Sequence, residues 1–106
     1  MAKGSSPVSA VAERYATALY ELVRDAGAVD EALKGTEQFA QMVASSPDLQ
    51  RLVKSPVFSA EDQLRAVTAL LQKAGITGVV ANFVRLAAKN RRLFAVPEMI
   101  KEFRQL

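Results

Sequence analysis

The sequence predicts an all-α fold, a compact six-helix bundle, on three observations. Apolar residues recur at intervals of three and four through most of the chain. No segment alternates cleanly with period two, the mark of a half-buried strand. Serine-proline pairs, single glycines and an asparagine fall between the periodic segments, where helices would start and stop. With 106 residues, 50% of them hydrophobic and 24% charged, the chain is long enough to close one modest core. Residues 1–8 are expected to form a flexible start and residues 9–106 the bundle.

The first helix is expected after Ser9, where Val11, Ala12, Tyr15, Ala16, Leu19, Leu22 and Val23 recur at helical spacing and Gly27 supplies a stop. Its apolar positions occupy about 200° of the wheel, with Glu13, Arg14, Thr17, Glu21 and Arg24 on the other side. The second helix, Asp30 to Ala44, has a narrower stripe, and Gly35 inside it costs about 1 kcal/mol relative to alanine. Ser46-Pro47 offers a capping hydroxyl before a proline at the first position of a short helix, Pro47 to Val53. Ser55-Pro56 breaks it. Ser59 with Glu61 and Asp62 reads as a variant capping box opening a helix to Ala74, with Leu64, Val67, Leu70 and Leu71 as its buried side. Gly75 ends that helix, Thr77 is placed to cap the fifth, and Asn90, in a left-handed conformation, is expected to end it. A last helix starts at Pro97 and buries Met99, Ile100 and Phe103.

The fifth helix is the unusual one. At about 100° per residue from Ile76, the positions Val79, Val80, Phe83, Val84, Leu86, Ala87 and Ala88 spread over roughly 200°, while Asn82, Arg85 and Lys89 fill the remaining arc. A helix lying on its own core needs a stripe of about 100° or somewhat more. Two readings stand: a central helix flanked on both sides by its own bundle, or a first and fifth helix lying side by side and exposing a groove for an incoming amphipathic helix.

Composition narrows the chemistry. There is no cysteine for disulfides or thiolate metal sites, and no histidine, the commonest metal ligand and general base. No nucleophile, base and orienting group occur together in a defensible pattern, and no cofactor is expected. Ser59, Glu61 and Asp62 could be imagined as an acidic metal site, but at a helix start they are read as cap and dipole chemistry. No glycines form a phosphate loop, and no apolar run approaches the 18 or so residues that span a bilayer. The opening MAKGSSPVSA, with a single lysine and no long apolar segment, is not read as a secretory signal. A net charge of +3 is ordinary for a solvated helical surface. The alternative function is a basic helical module binding RNA or another acidic partner through Arg85, Lys89, Arg91 and Arg92, although that cluster also offsets a helix dipole.

Two segments, VAERYATALYELV and NFVRLAAKNRRLFAVPEMIKEF, carry a family resemblance. Arg14-Tyr15-Ala16 followed by Ala18, and Asn90 with Arg92-Leu93 and Pro97, resemble the N-terminal domain of the delta subunit of bacterial F-type ATP synthase, whose mitochondrial counterpart is the oligomycin-sensitivity-conferring protein. The resemblance implies a non-catalytic component of the peripheral stalk that holds the catalytic head against rotation during ATP synthesis and proton transport. It implies binding of the N-terminal helix of an α subunit between the first and fifth helices. Carried over by position, the partner-binding residues are Tyr15, Ala18 and Leu22 with Val79, Leu86 and Asn90. Ala12, Ala16, Leu19, Val80, Val84 and Ala87 would then face the core.

The resemblance also implies a peripheral location on the cytoplasmic side of the bacterial inner membrane, with membrane association only through the complex and no direct nucleic-acid binding. The b subunits would be met through a C-terminal region beyond Leu106, and this part alone is expected to be a monomer. One departure is Arg91, where many relatives carry glycine after the asparagine. Burying four or five Leu- or Val-sized side chains would give a gross gain near 10 kcal/mol before association entropy, consistent with micromolar to nanomolar affinity.

Overall fold

Six α-helices and one 3-10 turn follow one another in the computed structural model, which describes residues 7–55 and 57–106. They are α1 (Pro7–Asp25), α2 (Val29–Ser45), α3 (Pro47–Lys54), α4 (Ala60–Ala74), α5 (Gly78–Lys89) and α6 (Val96–Arg104), with the 3-10 turn at Leu93–Ala95 ahead of α6. No strand occurs among the described residues. The first helix starts at Pro7, earlier than the expected boundary after Ser9, and Pro56 and residues 1–6 lie outside the described part.

The starts of α3 and α4 follow local chemistry. Ser46 accepts a hydrogen bond from the Leu49 amide at 3.2 Å, with Pro47 in the first turn of α3. Ser59 accepts from the Asp62 amide at 3.0 Å, and Glu61 and Asp62 sit in the first turn, where they oppose the helix dipole. Thr77 does not behave as expected. It occupies the cap position of α5 in extended conformation, but its side chain accepts no hydrogen bond. Gly78, the first helical residue, has a φ of 72°, so the chain turns sharply where a capped helix would already be regular.

Three helices end in the same way. A left-handed residue closes each: Gly27 (φ 68°), Gly75 (φ 76°) and Arg91 (φ 59°). Each time the next amide reaches back five residues: Ala28 to the Val23 carbonyl at 2.8 Å, Ile76 to Leu71 at 2.9 Å, and Arg92 to Ala87 at 2.7 Å. The left-handed residue at the end of α5 is therefore Arg91 and not Asn90, whose φ is −90°. Glycine enters this region freely, whereas a residue with a Cβ is held there at a cost of about 1–2 kcal/mol.

α1 packs chiefly on α6, and α5 chiefly on α4, while α2 spans the bundle and touches α1, α3, α5 and α6. Gly35 has its reason here: a Cβ on it would lie 3.2 Å from Cγ2 of Val80, so its absence lets α2 and α5 approach closely. The core gathers Leu19, Val23, Phe39, Val67, Leu71, Val84, Met99 and Phe103. On α4 the buried positions are Gln63, Val67 and Leu71, while Leu64 and Leu70 are only half-buried. Gln63 is tolerated inside because its Nε2 donates to the Leu52 carbonyl at 3.0 Å, joining α4 to α3. The other buried polar residue, Thr36, donates to the Ala32 carbonyl of its own helix at 2.7 Å.

Candidate docking face between α1 and α5

The two helices with surplus apolar surface are neighbours. The Tyr15 ring meets Phe83 edge to face, with centroids 6.3 Å apart and planes at 67°. Asn90 Nδ2 donates to the Tyr15 hydroxyl at 3.0 Å. At the opposite end, Val23 of α1 and Val79 and Val80 of α5 line a common depression of about 270 Å³, together with Gly35 and the turn before α5. The middle of α1 therefore lies beside the end of α5, and the end of α1 beside the start of α5, an antiparallel pair. Each helix has its main partner on its far side, so their mutual contact is light and a strip of both remains uncovered.

All six residues expected to face the core, Ala12, Ala16, Leu19, Val80, Val84 and Ala87, are buried. The six expected on the partner face are differently placed. Ala18, Leu22, Leu86 and Asn90 are exposed, and Tyr15 and Val79 are half-buried. Leu22 and Leu86, at 61% and 49% exposure, are two of the large hydrophobic side chains that the bundle leaves in solvent. The antiparallel arrangement orders these residues along the strip: Tyr15 with Asn90 at one end, Ala18 and Leu86 in the middle, Leu22 and Val79 toward the other. Seven residues of α1 and eleven of α5 separate the outermost members, about 10 and 16 Å at 1.5 Å per residue, the length of two to three helical turns.

The spare surface is narrower than the wheel implied. Phe83 and Ala88 of the α5 stripe are already buried, and so is Ala81 beyond it, because α4, α1 and the 3-10 turn flank that helix. Most of α5 is thus flanked by its own bundle, and the surface left over on the side of α1 is that of Leu86 with part of Val79. Four or five large side chains awaiting burial reduce to two leucines, with Ala18 and Val79 contributing less. Phe83 belongs to this face as the floor beneath Tyr15, a role the wheel assigned to no residue. Phe83, the one aromatic of α5, on a helix argued to lie beside that of Tyr15, was the available signal.

The rest of the surface offers less to chemistry. No group of three acidic side chains placed to hold a metal occurs among the described residues, and Glu61 and Asp62 are accounted for by the α4 cap. In the basic cluster, Arg85 donates to Asn82 Oδ1, and Arg91 Nη1 donates to the Phe58 carbonyl at 2.9 Å.

Fold and strip place the chain in the class of all-α bundles that keep part of an inter-helix surface uncovered. A family model described as ATP synthase delta (OSCP) subunit matches residues 11–106, and the chain belongs to that family. It is 55% identical over 106 residues to an ATP synthase subunit delta of Mesorhizobium japonicum, covering 100% of this chain and 57% of that protein. It is 55% identical over 104 residues to that subunit of a Methylobacterium species, covering 98% of this chain and 55% of the relative. Against the subunit of Methylorubrum populi it is 56% identical over 98 residues, 92% of this chain and 52% of the relative. The chain thus spans about half the length of the curated relatives it matches.

Proposed function

We propose that this chain is the head-binding part of an ATP synthase peripheral stalk, a non-catalytic element that grips the N-terminal helix of an α subunit between α1 and α5. The observation that carries the proposal is the exposure of Leu22 and Leu86 on two adjacent antiparallel helices whose other large apolar side chains, among the residues with described burial, are buried or half-buried. A rotary machine delivers torque only if its head is held still, so such a grip must be long-lived and need perform no reaction. An amphipathic helix with anchors at three- and four-residue spacing matches a strip two to three turns long.

In this reading the b subunits are met by chain outside these residues, and the protein sits peripherally at the cytoplasmic face of the bacterial inner membrane. No helix among the described residues is long and apolar enough to cross a membrane. The chain alone is a monomer, checked by sedimentation.

The test is a heteronuclear NMR titration of the chain with a synthetic α-subunit N-terminal peptide, paired with calorimetry. The expected footprint is Tyr15, Ala18 and Leu22 with Val79, Leu86 and Asn90, a negative heat-capacity change and weak salt dependence. No saturable shift at high micromolar peptide sinks the proposal. A footprint on Arg85, Lys89, Arg91 and Arg92, with affinity for RNA falling steeply in salt, would favour the basic-module alternative.

A further inference from the structure

A second uncovered region lies at the far end of α5, where a depression of about 220 Å³ opens between the α3–α4 connection and the 3-10 turn. Lys54 and Arg91 line it, along with Leu93 and Phe94, and no carboxylate does. Phe94 is 44% exposed, and Val57, adjacent to the carbonyl that Arg91 grips, is 85% exposed. Arg91 itself is the outlier. The same helix ending is made with glycine at the ends of α1 and α4, yet here a long cation occupies the left-handed position, and it is the one non-glycine residue with positive φ among those described. A backbone held in a sparsely populated region, at a position where the side chain lines a depression beside an exposed ring, points to use of that side chain.

From these three observations we infer that the depression beside Phe94 is a docking site for a short acidic segment of another polypeptide, carrying one aliphatic or aromatic anchor. The anchor packs on the exposed Phe94 ring, and the flanking carboxylates meet Lys54 and Arg91. The guanidinium has one N–H committed to the Phe58 carbonyl, which holds its plane in place and leaves further donors for a carboxylate. A single exposed ring gives no platform for successive bases, so a protein segment fits better than single-stranded nucleic acid. The site does not involve the α1–α5 strip, and it stands or falls separately from the head-binding reading.

The experiment is an NMR titration of the chain with the capped hexapeptide Glu-Asp-Phe-Ser-Glu-Glu and with its analogue bearing Gln and Asn for the acids. The expected result is saturable shifts confined to the surroundings of Lys54, Arg91 and Phe94, with half-saturation below about 1 mM, weakening with salt and absent with the neutral analogue. Arg91→Gly is the sharpest variant, because it relieves the backbone while removing the cation. It should keep or raise the melting temperature and still weaken the peptide fivefold or more. Lys54→Gln, at an exposed helix-end position, should weaken it about as much, and supplies the readout if the glycine variant misfolds. No saturation with the acidic peptide, equal binding of the neutral analogue, unchanged affinity in both variants, or a 12-nucleotide RNA shifting these residues while the peptide does not, would each overturn the inference.

Discussion

Replacing Leu86 by glutamate separates a docking face from a core position. Leu86 is 49% exposed, so roughly half of the 1.5–3 kcal/mol available from burying a leucine is already realised in the free chain, and the substitution should cost the fold only about 1 kcal/mol. In the proposed complex with an α-subunit helix the loss is different in kind. The remaining half of the leucine's burial, about 1 kcal/mol, disappears, and a carboxylate is enclosed without a partner, at about 3 kcal/mol or more. A total near 4 kcal/mol is about a thousandfold in affinity. Leu86→Ala removes the first contribution without adding the charge, and should weaken the α peptide only about fivefold. Calorimetry reads the affinities and far-ultraviolet circular dichroism reads the fold. If Leu86→Glu binds within about threefold of the parent chain, Leu86 lies outside the interface. If the variant unfolds, the side chain is core and the assignment of this face is wrong.

Other perturbations test the neighbouring parts. Ala18→Asp, at an exposed position on the same strip, should abolish peptide binding by calorimetry while leaving the helical spectrum intact. Tyr15→Phe removes the hydroxyl that accepts from Asn90 and keeps the ring on Phe83; because that bond is exposed, thermal unfolding should shift by less than about 1 kcal/mol. Gly35→Val should destabilise by about 2 kcal/mol in urea unfolding despite relieving a helical glycine, since its first side-chain atom already meets Val80 at 3.2 Å. Ser46→Ala and Ser59→Ala should each cost about 1 kcal/mol through loss of an amide acceptor, measured the same way.

The features legible from sequence were those set within a few residues. Ser46, Ser59, Gly27 and Gly75 act where they stand, because a cap needs only its own helix end. Thr77 failed as a cap because of its neighbour: Gly78 takes a left-handed conformation, and the regular first turn that a cap serves is not there. Asn90 was given the left-handed role on intrinsic preference, but the bond from the Arg92 amide to Ala87 places that role one residue later, on Arg91. Gln63 was passed over for Leu64 and Leu70 because hydropathy cannot anticipate an acceptor eleven residues back at Leu52. The candidate face was half legible. The wheel identified two helices that prove adjacent and the sector each turns inward, but it could not tell that α4 and the 3-10 turn cover the flanks of α5.

The packing also explains how two helices can keep apolar surface in water without collapsing together. α1 is held by α6 and α5 by α4, so closing the strip would require giving up larger contacts for a smaller one. The close approach of Gly35 to Val80 pins the first half of α5 against α2, and the Tyr15 ring on Phe83, bridged to Asn90, fixes the spacing at the other end. A strip set from both ends is already shaped before a partner arrives, and binding to it loses less conformational freedom than binding to a face that must open. In related complexes affinity is set mainly by the rate of release, and a preformed seat favours slow release, the property that the proposed clamp requires. Loosening the pin at Gly35 should therefore speed dissociation of the α peptide even though residue 35 lies off the strip, whereas unchanged dissociation would mean that the shape of the seat does not depend on the α2–α5 contact.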